Sequence, residues 1–61
     1  MEQEKKIIQA LDFFRENSCE VKIYEGNGKY LFDIWSETHK KYIIQDANEF
    51  QILQFYNKLK N

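Results

Sequence analysis

The 61 residues contain no proline, two glycines, and a single residue each of cysteine, histidine and arginine, and each scarcity excludes something. The lone thiol, Cys19, rules out an intramolecular disulfide, and with one histidine no Cys/His spacing offers a zinc site. A chain this short buries only roughly 60% of the surface that its unfolded form exposes. With no covalent or metal staple, it must be held by packing or by association. The absence of proline leaves every strand free to pair along its length.

Charge of one sign is also lacking, since nine Lys and Arg face ten Asp and Glu, interspersed along the chain. Non-specific nucleic-acid binding needs a basic patch, which this balance disfavours, and the chain is no acidic nucleic-acid mimic either. Long apolar runs are missing too. Met1-Glu2-Gln3-Glu4-Lys5-Lys6 leads only into Ile7-Ile8, which is neither a signal-peptide core nor close to a membrane span. The expected compartment is the cytoplasm, which suits a lone thiol.

Aromatic residues, by contrast, make up 16% of the chain, and aromatics bury the largest area per side chain. Asn27-Gly28 between two β-rich runs is the strongest short-range signal for a hairpin with a two-residue type I′ turn. That turn sets Gly26 opposite Lys29, Tyr24 opposite Leu31, Lys22 opposite Asp33 and Val21 opposite Ile34. One face then reads Val21, Ile23, Tyr30, Phe32, Ile34, a core face. The other carries Tyr24, Leu31 and Trp35 around a Lys22/Asp33 ion pair and is too apolar to be plain surface.

The spacing of Ile7, Ala10, Leu11 and Phe14, with Ile8 at the edge, predicts a helix over about Glu2 to Glu16. Glu2 and Glu4 suit the positive end of its dipole and Arg15 the negative end; Asn17-Ser18 stops it. Asp46 at N-cap with Glu49 at N3 resembles a capping box. It predicts a second helix over about Ala47 to Lys60, with Ile52, Tyr56 and Leu59 on its buried face and Phe50 and Leu53 beside them. Strands are expected at about Glu20 to Glu25, Lys29 to Ser36 and Lys40 to Gln45. The fold class is α+β: a single small domain over residues 1–61, a three-stranded antiparallel meander flanked by an N-terminal and a C-terminal helix.

The register of the third strand stays open. An odd number of residues in the Glu37-Thr38-His39-Lys40 connection puts Tyr42 and Ile44 on the core face. An even number puts Ile43 there and moves Tyr42 and Ile44 outside, beside Trp35. Two helices covering one sheet face each would bury Tyr24, Leu31 and Trp35. The short connections favour both helices on one face, because a single helix barely covers three strands.

No residue set points to catalysis, a cofactor or a metal. His39 reads as a solvated loop residue without an orienting partner. Cys19 and His39 fall at opposite ends of the strand order and lack a cysteine-protease signature, so Cys19 reads as a small apolar residue at a strand start. Asp33 near Glu20 or Glu37 reads as half of a surface ion pair rather than of a catalytic carboxylate pair. His39, Lys40 and Lys41, with Lys29 at the opposite tip, form the alternative nucleic-acid set, with Tyr24, Trp35 and Tyr42 as a stacking platform. Against it, Glu20, Asp33 and Glu37 lie on or beside the same surface, and the only arginine, Arg15, is in the first helix.

An apolar patch with a charged rim marks a protein interface, here Tyr24, Leu31, Trp35 and Tyr42. The helix, three antiparallel strands and helix, with Ile7-Ile8-Gln9-Ala10-Leu11, Glu20-Val21-Lys22-Ile23 and Lys41-Tyr42-Ile43-Ile44-Gln45-Asp46-Ala47-Asn48-Glu49, resemble small phage-encoded inhibitors of RNA-guided nucleases, the anti-CRISPR proteins. The resemblance covers most of the chain as element order and hydrophobic pattern, and it transfers no site residues. It implies an anti-defence inhibitor acting on a host defence nuclease complex. Because a large acidic excess is lacking, the implied mechanism is steric blocking of a protein surface rather than DNA mimicry. The expectation is thus a non-enzymatic binding or inhibitor protein without cofactor, metal or membrane association. The alternatives are a small nucleic-acid-binding regulator, and a homodimer whose sheets meet face to face.

Overall fold

The computed structural model describes residues 2–60; Met1 and the side chain of Glu2, with the dipole role expected of it, lie outside the described residues. The element order is α1 (Glu2–Glu16), β1 (Cys19–Gly26), β2 (Lys29–Ser36), β3 (Lys41–Ala47) and α2 (Glu49–Lys60). The strands form one antiparallel sheet in the order β1-β2-β3. This is the expected αβββα architecture.

The end of α1 is set by Asn17, whose amide and side-chain nitrogen both donate to the Phe13 carbonyl, the latter at 2.7 Å. Ser18 then takes a left-handed backbone, φ 60°, which turns the chain into β1 as a residue just past a helix end commonly does. Asn27 (φ 53°) and Gly28 (φ 73°) are both left-handed as well, the geometry a type I′ turn requires. The β1–β2 register runs unbroken from Gly26↔Lys29 through Lys22↔Asp33 to Cys19↔Ser36.

Both helices lie on the face of the sheet that carries Phe32 and Ile34. Ala10, Leu11 and Phe14 of α1, Ile52 of α2 and Ala47 of β3 complete the buried core, with Val21 packed at its edge. The rings bind the two helices together: Phe14 stacks on Phe55 at 5.7 Å, and Phe13 meets Tyr56 edge to face at 5.2 Å.

The third strand combines both expected registers, because it bulges twice. Trp35 pairs with Tyr42, yet Ile34 pairs with Ile44 and Phe32 with Ala47. Ile43 is the extra residue of the first bulge, so Tyr42 faces outward while Ile43 and Ile44 both pack on the core. In the second, Gln45 and Asp46 together oppose Asp33. Asp46 is left-handed, φ 53°, and its amide donates to Asp33 Oδ1 at 2.8 Å.

This bulge corrects the reading of the second helix. Asp46 belongs to β3, and the cap is Asn48: its Oδ1 accepts the Gln51 amide at 2.8 Å, while Gln51 Oε1 accepts the Asn48 amide at 2.9 Å. The helix rotation differs too. Phe55 packs inward, whereas Phe50 (64% exposed) and Leu59 point out. Ile23 (50%) and Tyr30 (57%), expected in the core, are exposed. Tyr30 is exposed because β3 ends opposite Phe32, so the tip of the first hairpin projects past the third strand; Ile23, level with Phe32 and Ala47, is exposed because β1 is the edge strand.

Candidate functional site

Alternation along the paired strands puts Glu20, Lys22, Tyr24 and Gly26 of β1 and Lys29, Leu31, Asp33 and Trp35 of β2 on the face opposite the helices. The first bulge adds Tyr42. No described helix packs on this side, so the four expected interface residues, Tyr24, Leu31, Trp35 and Tyr42, share an uncovered sheet face. Tyr24 is exposed and the other three are half-buried.

Trp35 and Tyr42 form one end of it, ring centroids 4.9 Å apart in an edge-to-face contact. With Glu20 and Lys22 they line a shallow depression. Tyr24 and Leu31 form the other end. Leu31 lies across Gly26, where a Cβ would stand 3.2 Å from its Cδ1, so a side chain at position 26 would require the end of Leu31 to shift by a few tenths of an ångström.

Between the two ends the polar groups pair differently from the expected ion pair. Lys22 and Asp33 are opposite each other in register, but the Lys22 ammonium crosses the sheet to donate to Tyr42 Oη at 3.2 Å. It also stands 5.8 Å from the centre of that ring. The hydrogen bond to Tyr42 raises the Lys22 pKa. Asp33 is engaged by the second bulge. The Tyr24 hydroxyl donates to the Asp46 carboxylate and lies 3.3 Å from Asp33 Oδ1. Donation to Asp46 and the two carboxylate charges hold the Tyr24 phenol protonated well beyond its ordinary range. Each tyrosine thus presents an apolar ring whose polar tip is anchored on the protein itself.

The alternative cationic set is dispersed. Lys29 lies at the Asn27-Gly28 tip, whereas His39 and Lys40 occupy the loop at the other end of the sheet. Lys40 pairs with Glu37 at 3.5 Å. Lys41 stands opposite buried Ser36, on the helix side of the sheet, and so away from Trp35.

Cys19 and His39 are closer than strand order suggests, because the start of β1 and the β2–β3 loop lie at the same end of the sheet. Both line a groove with Phe13, Phe14, Phe55 and Leu59. The Cys19 thiol donates to the Asn17 carbonyl at 3.6 Å. Burial pushes its pKa up, the opposite of what a nucleophilic thiolate requires.

Sequence reasoning missed a second apolar surface. Tyr30 and Phe50 line one cleft with Gly28, Lys29 and Asn48 beside the first hairpin turn. It arises from the mismatch between the two eight-residue strands of the first hairpin and the shorter, bulged β3 beside them, which the strand lengths expected from the sequence do not show. No helix among the described residues is long and apolar enough to cross a membrane. Comparison with protein families, curated proteins and solved structures finds no match to this chain.

Proposed function

We propose that this chain is a non-catalytic binding protein that blocks a surface of another protein with the uncovered face of its sheet. Following the resemblance in element order, the partner class is a host defence nuclease complex, and the activity is anti-defence inhibition. The observation that carries the reading is the placement of both helices on one side, which leaves Tyr24, Leu31, Trp35 and Tyr42 together on the other. Tryptophan and tyrosine dominate binding hot spots because they bring large area at low entropic cost. Here their polar tips are already held, by Lys22 on Tyr42 and by Asp46 on Tyr24, so docking requires little further ordering.

The nucleic-acid reading has less support, since His39 and Lys40 sit in the far loop and Lys41 on the helix side, which leaves Lys29 alone of that set on the aromatic face, and acidic Glu20, Asp33 and Asp46 lie on or beside that face. Titration of purified RNA-guided nuclease complexes should give inhibition that saturates at a fixed stoichiometry and shows no turnover. Labelled oligonucleotides should show no salt-sensitive binding at micromolar protein. Salt-sensitive binding lost on Lys40→Glu with Lys41→Glu would instead favour the nucleic-acid regulator.

A further inference from the structure

The two edges of the sheet are unlike each other. β3 is broken by two bulges and a left-handed residue, devices that blunt an edge against pairing. β1 is eight residues long, holds an unbroken register with β2, and contains no proline or bulge. We propose that the β1 edge pairs antiparallel with the β1 edge of a second copy of this chain, joining two sheets into one of six strands.

The hydrogen-bonding phase of β1 supports this. In a two-residue hairpin the residues flanking the turn, here Gly26 and Lys29, exchange hydrogen bonds, and every second residue along the strand does the same. The Glu37 amide donating to the Ser18 carbonyl at 2.9 Å continues that phase. Glu20, Lys22, Tyr24 and Gly26 therefore bond toward β2, while the amides and carbonyls of Cys19, Val21, Ile23 and Glu25 point to the open edge.

Charge selects the register. Glu20 and Lys22 are two residues apart on the outer face. With Val21 on the two-fold axis, Glu20 of each copy stands opposite Lys22 of the other, twice, at positions where the side chains approach most closely. A two-fold at Lys22 would oppose like charges. A lysine on an edge strand normally discourages pairing, but alternation with Glu20 makes this strand complementary to itself. In the chosen register Val21 meets Val21, and exposed Ile23 meets Cys19 of the second copy.

The helix above the edge adds apolar surface to the same seam. Phe13 meets Tyr56 of α2 and so marks the inner flank of α1; Ile8 lies roughly 140° away around the helix, on the flank toward the β1 edge. Ile8 is 58% exposed. The assembly covers Ile8 and Ile23 and leaves the rings of Trp35 and Tyr42 uncovered, while it draws on Glu20 and Lys22 at the rim of the same outer face.

Sedimentation of the intact chain from micromolar to millimolar concentrations tests the proposal. The wild type should dimerise, and Glu20→Lys or Lys22→Glu alone should each weaken the dimer by roughly tenfold. An equimolar mixture of those two variants, or the double variant, should restore it. Ile23→Pro removes an outward-pointing amide at an exposed position and should abolish the dimer while circular dichroism shows the fold retained. A wild type that stays monomeric at millimolar concentration overturns the proposal. So does a dimer that survives both single charge changes and Ile23→Pro, or one lost on Trp35→Ala with the fold intact, which would place the contact on the sheet face.

Discussion

Tyr24 shows how one residue reports on the outer face. Its phenol sits against two carboxylates, Asp46 as hydrogen-bond acceptor and Asp33 at 3.3 Å, and its pKa is raised in the folded state above the ordinary 10.0. Below pH 10 the phenol is protonated whether the chain is folded or not. Above it, the unfolded chain loses this proton first, so the contribution to stability falls as pH rises toward the folded value. Lys22, also raised from an ordinary 10.5, adds to the loss in the same alkaline range. Absorbance titration of the tyrosinates should show one tyrosine ionising above the ordinary phenol range, and Asp46→Asn should bring it back down; a tyrosinate titration unchanged by Asp46→Asn would contradict this arrangement.

Individual elements differ in how much of them is legible in the chain. The β1–β2 register follows from Asn27-Gly28 because the turn is local: two residues with left-handed backbone dictate every pair above them. The third strand is not legible, because its second bulge depends on Asp33 accepting the Asp46 amide, a contact between residues far apart in sequence. The same contact decides the start of α2. Asp46 with Glu49 and Asn48 with Gln51 both match a capping box, and the second prevails once β3 runs on to Ala47. Asn48→Ala should therefore destabilise the protein by about 1 kcal/mol. Denaturant unfolding measures it, and a midpoint equal to that of the wild type would return the cap to Asp46. Direct opposition predicts a Lys22–Asp33 pair, but long side chains also reach along a sheet face, and Asp33 already serves the bulge.

At the scale of the whole molecule, two short helices cover one side of a three-stranded sheet and nothing described covers the other. The fold class and the outer-face placement of Tyr24, Leu31 and Trp35 are legible because alternation and connection length are properties of the chain itself; that of Tyr42 is not, because it depends on the bulged third strand. The exposure of Ile23, Tyr30, Phe50 and Leu59 is not legible either, because it depends on where the helices end relative to the strands. What distinguishes Trp35 is its side of the sheet: Ile34, its neighbour, is fully buried beneath the helices, while Trp35 lies half-buried on the open face. Ile34→Ala should cost about 2 to 5 kcal/mol of folding stability, a loss that a domain this small barely survives. Trp35→Ala should leave a cooperative thermal melt near that of the wild type, yet weaken the proposed inhibition of a nuclease complex by at least about 2 kcal/mol in binding, some thirtyfold. The direct test is to measure the circular-dichroism melt and the inhibition titration side by side on wild type and Trp35→Ala. A folded variant that no longer inhibits is the predicted result; an unfolded one, or a folded one that inhibits as well as the wild type, would contradict the outer face as the binding surface.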